Sequence, residues 1–220
     1  MKVLVAGATG QTGRRIVAKL VKGNITVRAL VRNLEKGQAI LPADKVELVV
    51  GDVLKPESLP EAIADCTAII CATGASPTFD FTAPYRIDCL GTKNLVDAAK
   101  TMVVKHFVLV SSLCVSRFFH PLNLFWLILA WKKQGEAYLQ GSGLTYTIVR
   151  PGGLKNEDNS DPVVMKGADS LFEGSIPRAK VAQVCVEALL QAAAANKIVE
   201  IVAQPEANSL DWEELFANVS

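Results

Sequence analysis

Val3-Leu4-Val5-Ala6-Gly7-Ala8-Thr9-Gly10-Gln11-Thr12-Gly13-Arg14-Arg15-Ile16-Val17 decides how the chain is read. Four apolar residues run into a glycine turn, and a helix-like segment begins at once. A helix start carries backbone N–H groups without intrahelical partners and the positive end of the helix dipole, so a strand, tight turn and helix together attract a dinucleotide diphosphate. Gly7 lets the chain turn off the strand, Gly10 lets backbone approach the phosphates, and Gly13 lets the helix lie close on the sheet. The spacing is G-x-x-G-x-x-G, with Thr9, Gln11 and Thr12 completing the expected phosphate loop.

Outward from this turn, strand-like and helix-like runs alternate. Further strands are expected at 26–31, 46–50, 68–72, 107–110, 146–149 and 198–202, and helices at 14–22, 56–64, 83–102, 122–139, 177–191 and 212–216. In 83–102, Leu90, Leu95, Val96 and Ala99 are expected to form a buried face. Continuous Val/Ile/Leu strands between helices imply a parallel sheet covered on both faces. The expectation is therefore an α/β fold, a Rossmann-type doubly wound parallel sheet, with residues 1–220 as a single domain and the substrate pocket formed by its C-terminal part. The polar run 155–161 reads as a lid or a surface loop.

Composition narrows the function classes. With 220 residues and a net charge of +1, the chain is long enough for a full core and has no field of one sign to draw nucleic acid. Its 5 cysteines are odd in number and lack C-x-x-C spacing, which argues for a reducing compartment and against a disulfide framework or a structural metal site. The chain opens directly on a strand, so no leader peptide is expected.

Cofactor choice is read at the end of the second strand, where an acid favours NAD and an arginine accommodates the 2′-phosphate of NADP. Val31-Arg32-Asn33 offers no acid, and Arg32 presents a fork suited to phosphate, which points to NADP. Asp52 and Val53, after the third strand, are placed to meet the adenine, although Asp52 also suits a turn cap. Ala72, Thr73 and Gly74 end the fourth strand with small residues that leave room for a ribose.

These residues, with Ser111-Ser112, Lys132-x-x-x-Glu136 and Arg150-Pro151-Gly152-Gly153, resemble the short-chain dehydrogenase/reductase superfamily in its atypical, NAD(P)-binding branch. The group that looks most similar is the Tic62-like and biliverdin-reductase-B-like set of small plant and cyanobacterial NADP-binding proteins. The resemblance implies hydride transfer from NADPH, with Ser112 (or Ser111) and Lys132 as catalytic residues, Lys132 also holding the nicotinamide ribose, and Pro151 and Gly152 at the cofactor. The superfamily's usual tyrosine, four residues before the lysine, is here Ile128, which has no proton to give. Tyr85, His120 and Cys114 are substitute donors at the level of sequence. Relatives usually carry Arg-Ala-Asp-Val-Ala where this chain has Arg178-Ala179-Lys180-Val181-Ala182, a change read as altering local ion pairs. The implied function is an NADPH-dependent reductase of a small conjugated or flavin-like acceptor. The alternative is a non-catalytic NADP(H)-binding redox sensor or an assembly factor for a thylakoid-type membrane complex. The expected compartment is the cytoplasm, or the chloroplast stroma or thylakoid surface for a plastid-encoded or cyanobacterial chain.

The run 118–131 is strongly apolar but shorter than the about 20 residues a spanning helix needs. It reads as a buried helix over the pocket, an oligomer contact, or a face for a membrane surface or protein partner. Oligomeric state and substrate identity do not follow from the sequence.

Overall fold

The structure is a computed structural model that describes residues 1–75, 79–124 and 126–219. In chain order, β1 (Lys2–Ala6), α1 (Gly13–Lys22), β2 (Thr26–Val31), α2 (Leu34–Ile40) and β3 (Glu47–Val50) form the first half-unit. Then come α3 (Leu59–Ile63), β4 (Ala68–Cys71), a π-helical segment Tyr85–Gly91 continuing into α4 (Thr92–Thr101), β5 (His106–Val110), α5 (Ile128–Gln140) and β6 (Tyr146–Pro151). The remainder is β7 (Gly153–Lys155), β8 (Val163–Lys166), β9 (Ser175–Pro177), α6 (Arg178–Leu190), β10 (Lys197–Ala203) and α7 (Trp212–Ala217).

The main sheet has the order β3-β2-β1-β4-β5-β6-β10-β8, and β7 pairs with β9 in a separate ribbon. Every ladder in the main sheet is parallel except β10 with β8. The order reverses at β1, where Ala6 pairs with Leu30 on one side and Cys71 on the other. The carboxyl ends of β1, β2 and β4 therefore lie level around a crevice, where open α/β sheets bind ligands. One apolar layer joins the sheet to α1 and α6 through Ile16, Val17, Leu20, Val181 and Cys185. The other joins it to α3 and α4 through Leu59, Ile63, Leu95 and Ala99. Parallel strands buried on both faces read as unbroken apolar runs, which is why β1, β4 and β5 stand out in the sequence.

Two expectations need correction. The 122–139 helix begins only at Ile128: Pro121–Leu124 is a 3-10 turn, and Trp126 and Leu127 take left-handed backbone angles of φ 60 and 58°. Phe125, within the apolar run, lies outside the described residues. Leu90 is exposed, whereas Leu95, Val96 and Ala99 are buried as expected, together with Asp88, Cys89 and Thr92. The expected doubly wound parallel sheet is present, and β8 adds an antiparallel strand at its edge. Helix α2, capped by Asn33 accepting from the Lys36 N–H at 2.8 Å, was not anticipated.

Candidate active site

The crevice at the strand ends is lined by Gly7, Thr9, Gly10, Arg32, Asp52, Val53, Ala72, Thr73 and Gly74, together with Leu30, Leu54 and Ile87. Gly7 has φ +77°, and a Cβ there would lie 2.6 Å from the Ala72 carbonyl oxygen. That backbone region favours glycine, and the approach leaves no room for a side chain. A Cβ on Gly13 would sit 2.0 Å from the Gly7 oxygen, so a substitution would lever α1 off β1. Thr12 precedes α1 without a side-chain cap, and the helix's first turn holds no acid. The positive end of α1 is thus left to the crevice.

The other predicted loop residues sit differently. Gln11 is exposed and accepts from Arg14 at 2.5 Å and from Arg15 through its carbonyl at 2.7 Å. Asp52 lines the crevice while one of its carboxylate oxygens accepts the Leu54 N–H at 2.9 Å, so it also caps the turn. Pro151 and Gly152 are not among the described lining residues. Pro151 is buried with its carbonyl accepting from Leu113, and a Cβ on Gly152 would press to 2.7 Å on the Gly174 carbonyl oxygen. Both act as packing elements where β6 leaves the sheet.

A second, smaller cavity is lined by Thr73, Asp88, Thr92, Leu109, Val110, Ser111 and Lys132, and Thr73 borders both spaces. Lys132 Nζ donates to Asp88 Oδ1 at 2.7 Å, and Asp88 Oδ2 accepts the Ala75 N–H at 3.2 Å. Gly135 makes this possible: a Cβ there would lie 2.7 Å from the Asp88 carbonyl oxygen, so only glycine lets α5 come so near the π-helical segment. Ser111 is buried and its hydroxyl has no partner among the described residues. An unpaired buried hydroxyl is costly, which marks a place where a ligand can complete it. Ser112 is half-buried and does not line this cavity. Of the two serines that the sequence offered, the structure brings Ser111 to Lys132.

One turn past Lys132, Glu136 is fully buried and takes a two-pronged bond from Arg150, Nε to Oε1 at 3.0 Å and Nη2 to Oε2 at 2.7 Å. Arg150 also reaches Glu200 at 3.1 Å and Asp169 at 3.0 Å. Burial disfavours the charge of Arg150, but the bonds and charges of Glu136, Glu200 and Asp169 outweigh it and hold the guanidinium above its ordinary range. Glu200 accepts three further N–H groups, from Asp169, Ser170 and Leu171. This cluster locks α5, β6, β10 and the 169–171 turn into one body, and it sets the rotation of α5 that aims Lys132.

The substitute proton donors fall away from the cavity. Ile128, at the tyrosine position, opens α5 and packs on the Leu113, Cys114 and Leu129 cluster. Tyr85 is exposed with its ring edge-on to Trp131 at 5.0 Å. Cys114 donates to the Phe172 carbonyl at 3.2 Å, and burial pushes its thiol up. His120 accepts the Leu122 N–H at 3.2 Å in the surface turn. The 155–161 run lies against α1 and α6, where Arg15 donates to the Asn156 carbonyl and Arg178 to its side chain. Lys180 faces the outer groove there with Arg15, Lys19 and Lys22, well supplied with like charge.

Sequence reasoning missed Asp88 and Gly135. Asp88 had a signal: it recurs with Thr92, Leu95 and Ala99 at helical spacing, an acid on an otherwise apolar face. The need for glycine at 135 arises only from the crossing of two elements.

Comparison with known proteins agrees with this geometry. The NAD(P)H-binding family model matches residues 7–192. An uncharacterised chloroplastic protein of Arabidopsis thaliana is 48% identical over 99% of this chain and 82% of its own length. Protein TIC 62 of Pisum sativum is 38% identical over 99% of this chain, which spans only 46% of that protein. Sanguinarine reductase of Eschscholzia californica is 32% identical, covering 100% of this chain and 96% of its own. Among solved structures, a putative NAD-dependent epimerase/dehydratase from Bacillus halodurans superposes with a TM-score of 0.87 at 28% identity, over 99% of both chains. The chain belongs to the NAD(P)H-binding family, in the atypical branch of the short-chain dehydrogenase/reductase superfamily.

Proposed function

We propose that this family member is an NADPH-dependent reductase of a small conjugated or flavin-like acceptor, working without the tyrosine its superfamily ordinarily uses. The observation that carries the reading is the Lys132–Asp88 pair, 2.7 Å apart, in a water-sized cavity that it shares with the unpartnered hydroxyl of Ser111 and that has Thr73 in common with the crevice. Full-length similarity to sanguinarine reductase supports it.

The residues fit a dinucleotide. A Cβ at Gly10 would meet only the Gly7 carbonyl oxygen at 3.2 Å, and one at Gly74 would come no nearer than 3.7 Å to Asp88 and Lys132. Bare backbone therefore lines the crevice where a ligand must come close. In this reading the 7–13 loop and the start of α1 hold the diphosphate, Arg32 takes the 2′-phosphate, and Asp52 and Val53 meet the adenine. Thr73, Gly74 and Lys132 hold the nicotinamide ribose. When bound, NADPH supplies a hydride. Asp88 keeps the Lys132 ammonium at the cavity wall, and Ser111 offers its hydroxyl to a polar atom of the acceptor. Ile128 brings no proton, so the acceptor is of a kind that takes its proton from water, as a flavin or quinone does. The chloroplast origin of the plant relatives supports a plastid-type compartment, in the stroma or at the thylakoid surface.

Single-turnover oxidation of bound NADPH with FMN, a water-soluble quinone and an aldehyde tests the proposal. Oxidation by FMN or quinone above the protein-free rate, lost in Lys132→Ala, is the expected result. Tight NADP binding with no oxidation by any acceptor would overturn it and leave a non-catalytic NADP(H)-binding sensor or assembly factor.

A further inference from the structure

Beside the Lys132 cavity, bulky apolar groups stand in solvent. Phe119 is 96% exposed, Leu124 83% and Phe118 59%. Phe81, 65% exposed, packs on Trp126 with ring centroids 5.8 Å apart. Tyr85 and Trp131 extend the same aromatic surface along α5. A contiguous patch of this kind on a folded chain marks a surface that something covers.

Two polar groups of this surface are turned inward. Buried Asn123 donates to the Phe118 carbonyl at 2.8 Å and accepts the Leu129 N–H at 2.9 Å. The Trp131 indole donates to the Trp126 carbonyl at 3.1 Å. A protein interface carries about one hydrogen bond per 100–200 Å². The exposed side chains here are mostly aromatic or aliphatic and offer little to make them. Hydrocarbon requires none, provided the backbone is satisfied internally. Charge adds the second argument. From residue 117 to 135 the sequence holds no Asp or Glu, while Arg117 lies within it and Lys133 leans on buried Glu136 at 3.8 Å; Asp80, beside Phe81, is held by Arg86 at 3.8 Å. Arg117 sits 3.7 Å over the Phe172 ring, at the rim of the patch. An apolar centre with amphipathic aromatics and a cationic rim complements an anionic headgroup layer over acyl chains. No helix among the described residues is long and apolar enough to cross a membrane, so such a surface would lie on the bilayer.

We propose that the face formed by Phe81, Phe118, Phe119, Leu124, Trp126 and Trp131 docks on an anionic lipid surface. Trp131 belongs to this face, and its neighbour Lys132 lines the cavity. The proposal does not depend on the reductase reading.

Flotation of the full chain with vesicles tests it. At low salt the protein is expected to float with phosphatidylcholine vesicles containing phosphatidylglycerol and far less with phosphatidylcholine alone. Arg117→Glu lowers binding roughly 25-fold, because each unit of charge at an anionic surface is worth about a fivefold change and the substitution reverses one. Phe119→Glu with Leu124→Glu abolishes flotation while leaving the thermal midpoint and NADPH binding unchanged. Brominated acyl chains quench the tryptophan emission of the unmodified protein, a readout that needs no variant. The proposal fails if the unmodified protein does not float with either vesicle, or if the double variant floats equally well. It also fails if the double variant turns a dimer into a monomer in sedimentation, because the face would then be a protein contact.

Discussion

Lys132 Nζ lies 2.7 Å from Asp88 Oδ1, and both side chains are largely withdrawn from solvent, with Asp88 at 1%. One partner comes from the second turn of α5 and the other from the π-helical segment before α4. Such segments are rare and recur at functional sites, where they turn a side chain inward. Desolvating two charges is costly, and their attraction offsets that cost only while both remain. The pair is thus a position where fold and site share one interaction.

Removing one charge and removing both should separate these roles. Asp88→Asn leaves the ammonium buried without its counter-charge and is expected to cost about 3 kcal/mol in urea unfolding. Asp88→Leu combined with Lys132→Met removes the charges together and should recover most of that stability, because a well-packed apolar pair is often as stable as a buried ion pair. The double variant should still lose NADPH oxidation. Activity returning with stability would show that Lys132 only supports the fold.

Arg150 is the second buried hub, bound to Glu136, Glu200 and Asp169. Arg150→Met takes the guanidinium from two buried carboxylates, leaving Glu136 with Lys133 at 3.8 Å and Glu200 with its three backbone N–H donors. The expected loss is roughly 3–5 kcal/mol. For a domain of this size that lowers the thermal midpoint by on the order of 10 °C, readable by calorimetry. Glu136→Gln keeps the shape of the side chain and should cost less than Arg150→Met.

The N-terminal half of the site was legible because its chemistry is local. Gly7, Gly10 and Gly13 sit within one turn between a strand and a helix, and Arg32 and Asp52 follow strands whose pattern is plain. The parallel core was legible for the same reason, each strand being buried on both faces. What escaped is set by distant elements. Asp88 matters only because α5 crosses it at Gly135. The choice of Ser111 over Ser112 depends on which way β5 turns its last residues, and a shift of one residue reverses the face. Strand β8 is an edge defined by its partner β10, and its own run, Val163–Lys166, is only 4 residues long. The 122–139 run read as one helix because its apolar content is continuous, yet Asn123 diverts backbone bonds across the turn and starts α5 afresh.

Arg32 lines the crevice and is exposed, with its charge available to a phosphate. A charge-assisted bond to a dianionic phosphate is worth about 1.5–3 kcal/mol. Arg32→Ala should therefore weaken NADPH by roughly tenfold to a hundredfold and leave NADH within about twofold. Titration of each cofactor by fluorescence measures both. Equal weakening of the two would remove Arg32 from the 2′-phosphate and return it to the ordinary surface.

His106 gives a pH dependence whose sign can be worked out from its contacts. Thr147 donates its hydroxyl hydrogen to the Ala194 carbonyl at 2.7 Å, so it must accept from His106 Nε2, 2.9 Å away. Nε2 therefore carries a hydrogen, and the bond itself does not require the ring to be charged. Burial holds its pKa below the ordinary 6.5. The unfolded chain thus binds a proton at a higher pH than the folded one, and stability falls as pH drops from about 6.5 through the folded value. Glu47 and Asp169 also favour the folded state at higher pH, but their window lies lower. Hydrogen bonds from Arg28 and Lys2 hold Glu47 below its ordinary 4.5. For Asp169, burial acts the other way, but the bond from Ser116 and the charge of Arg150 hold it below 3.8. Their contributions are lost only at pH values beneath those of His106. Urea midpoints taken at pH 7.5 and 5.5 should therefore fall for the unmodified chain with little interference from either carboxylate. His106→Gln retains a donor for Thr147 without a titrating group, and its midpoint should change much less across the same interval. An unchanged slope in that variant would assign the pH dependence to another group and leave His106 a purely structural donor.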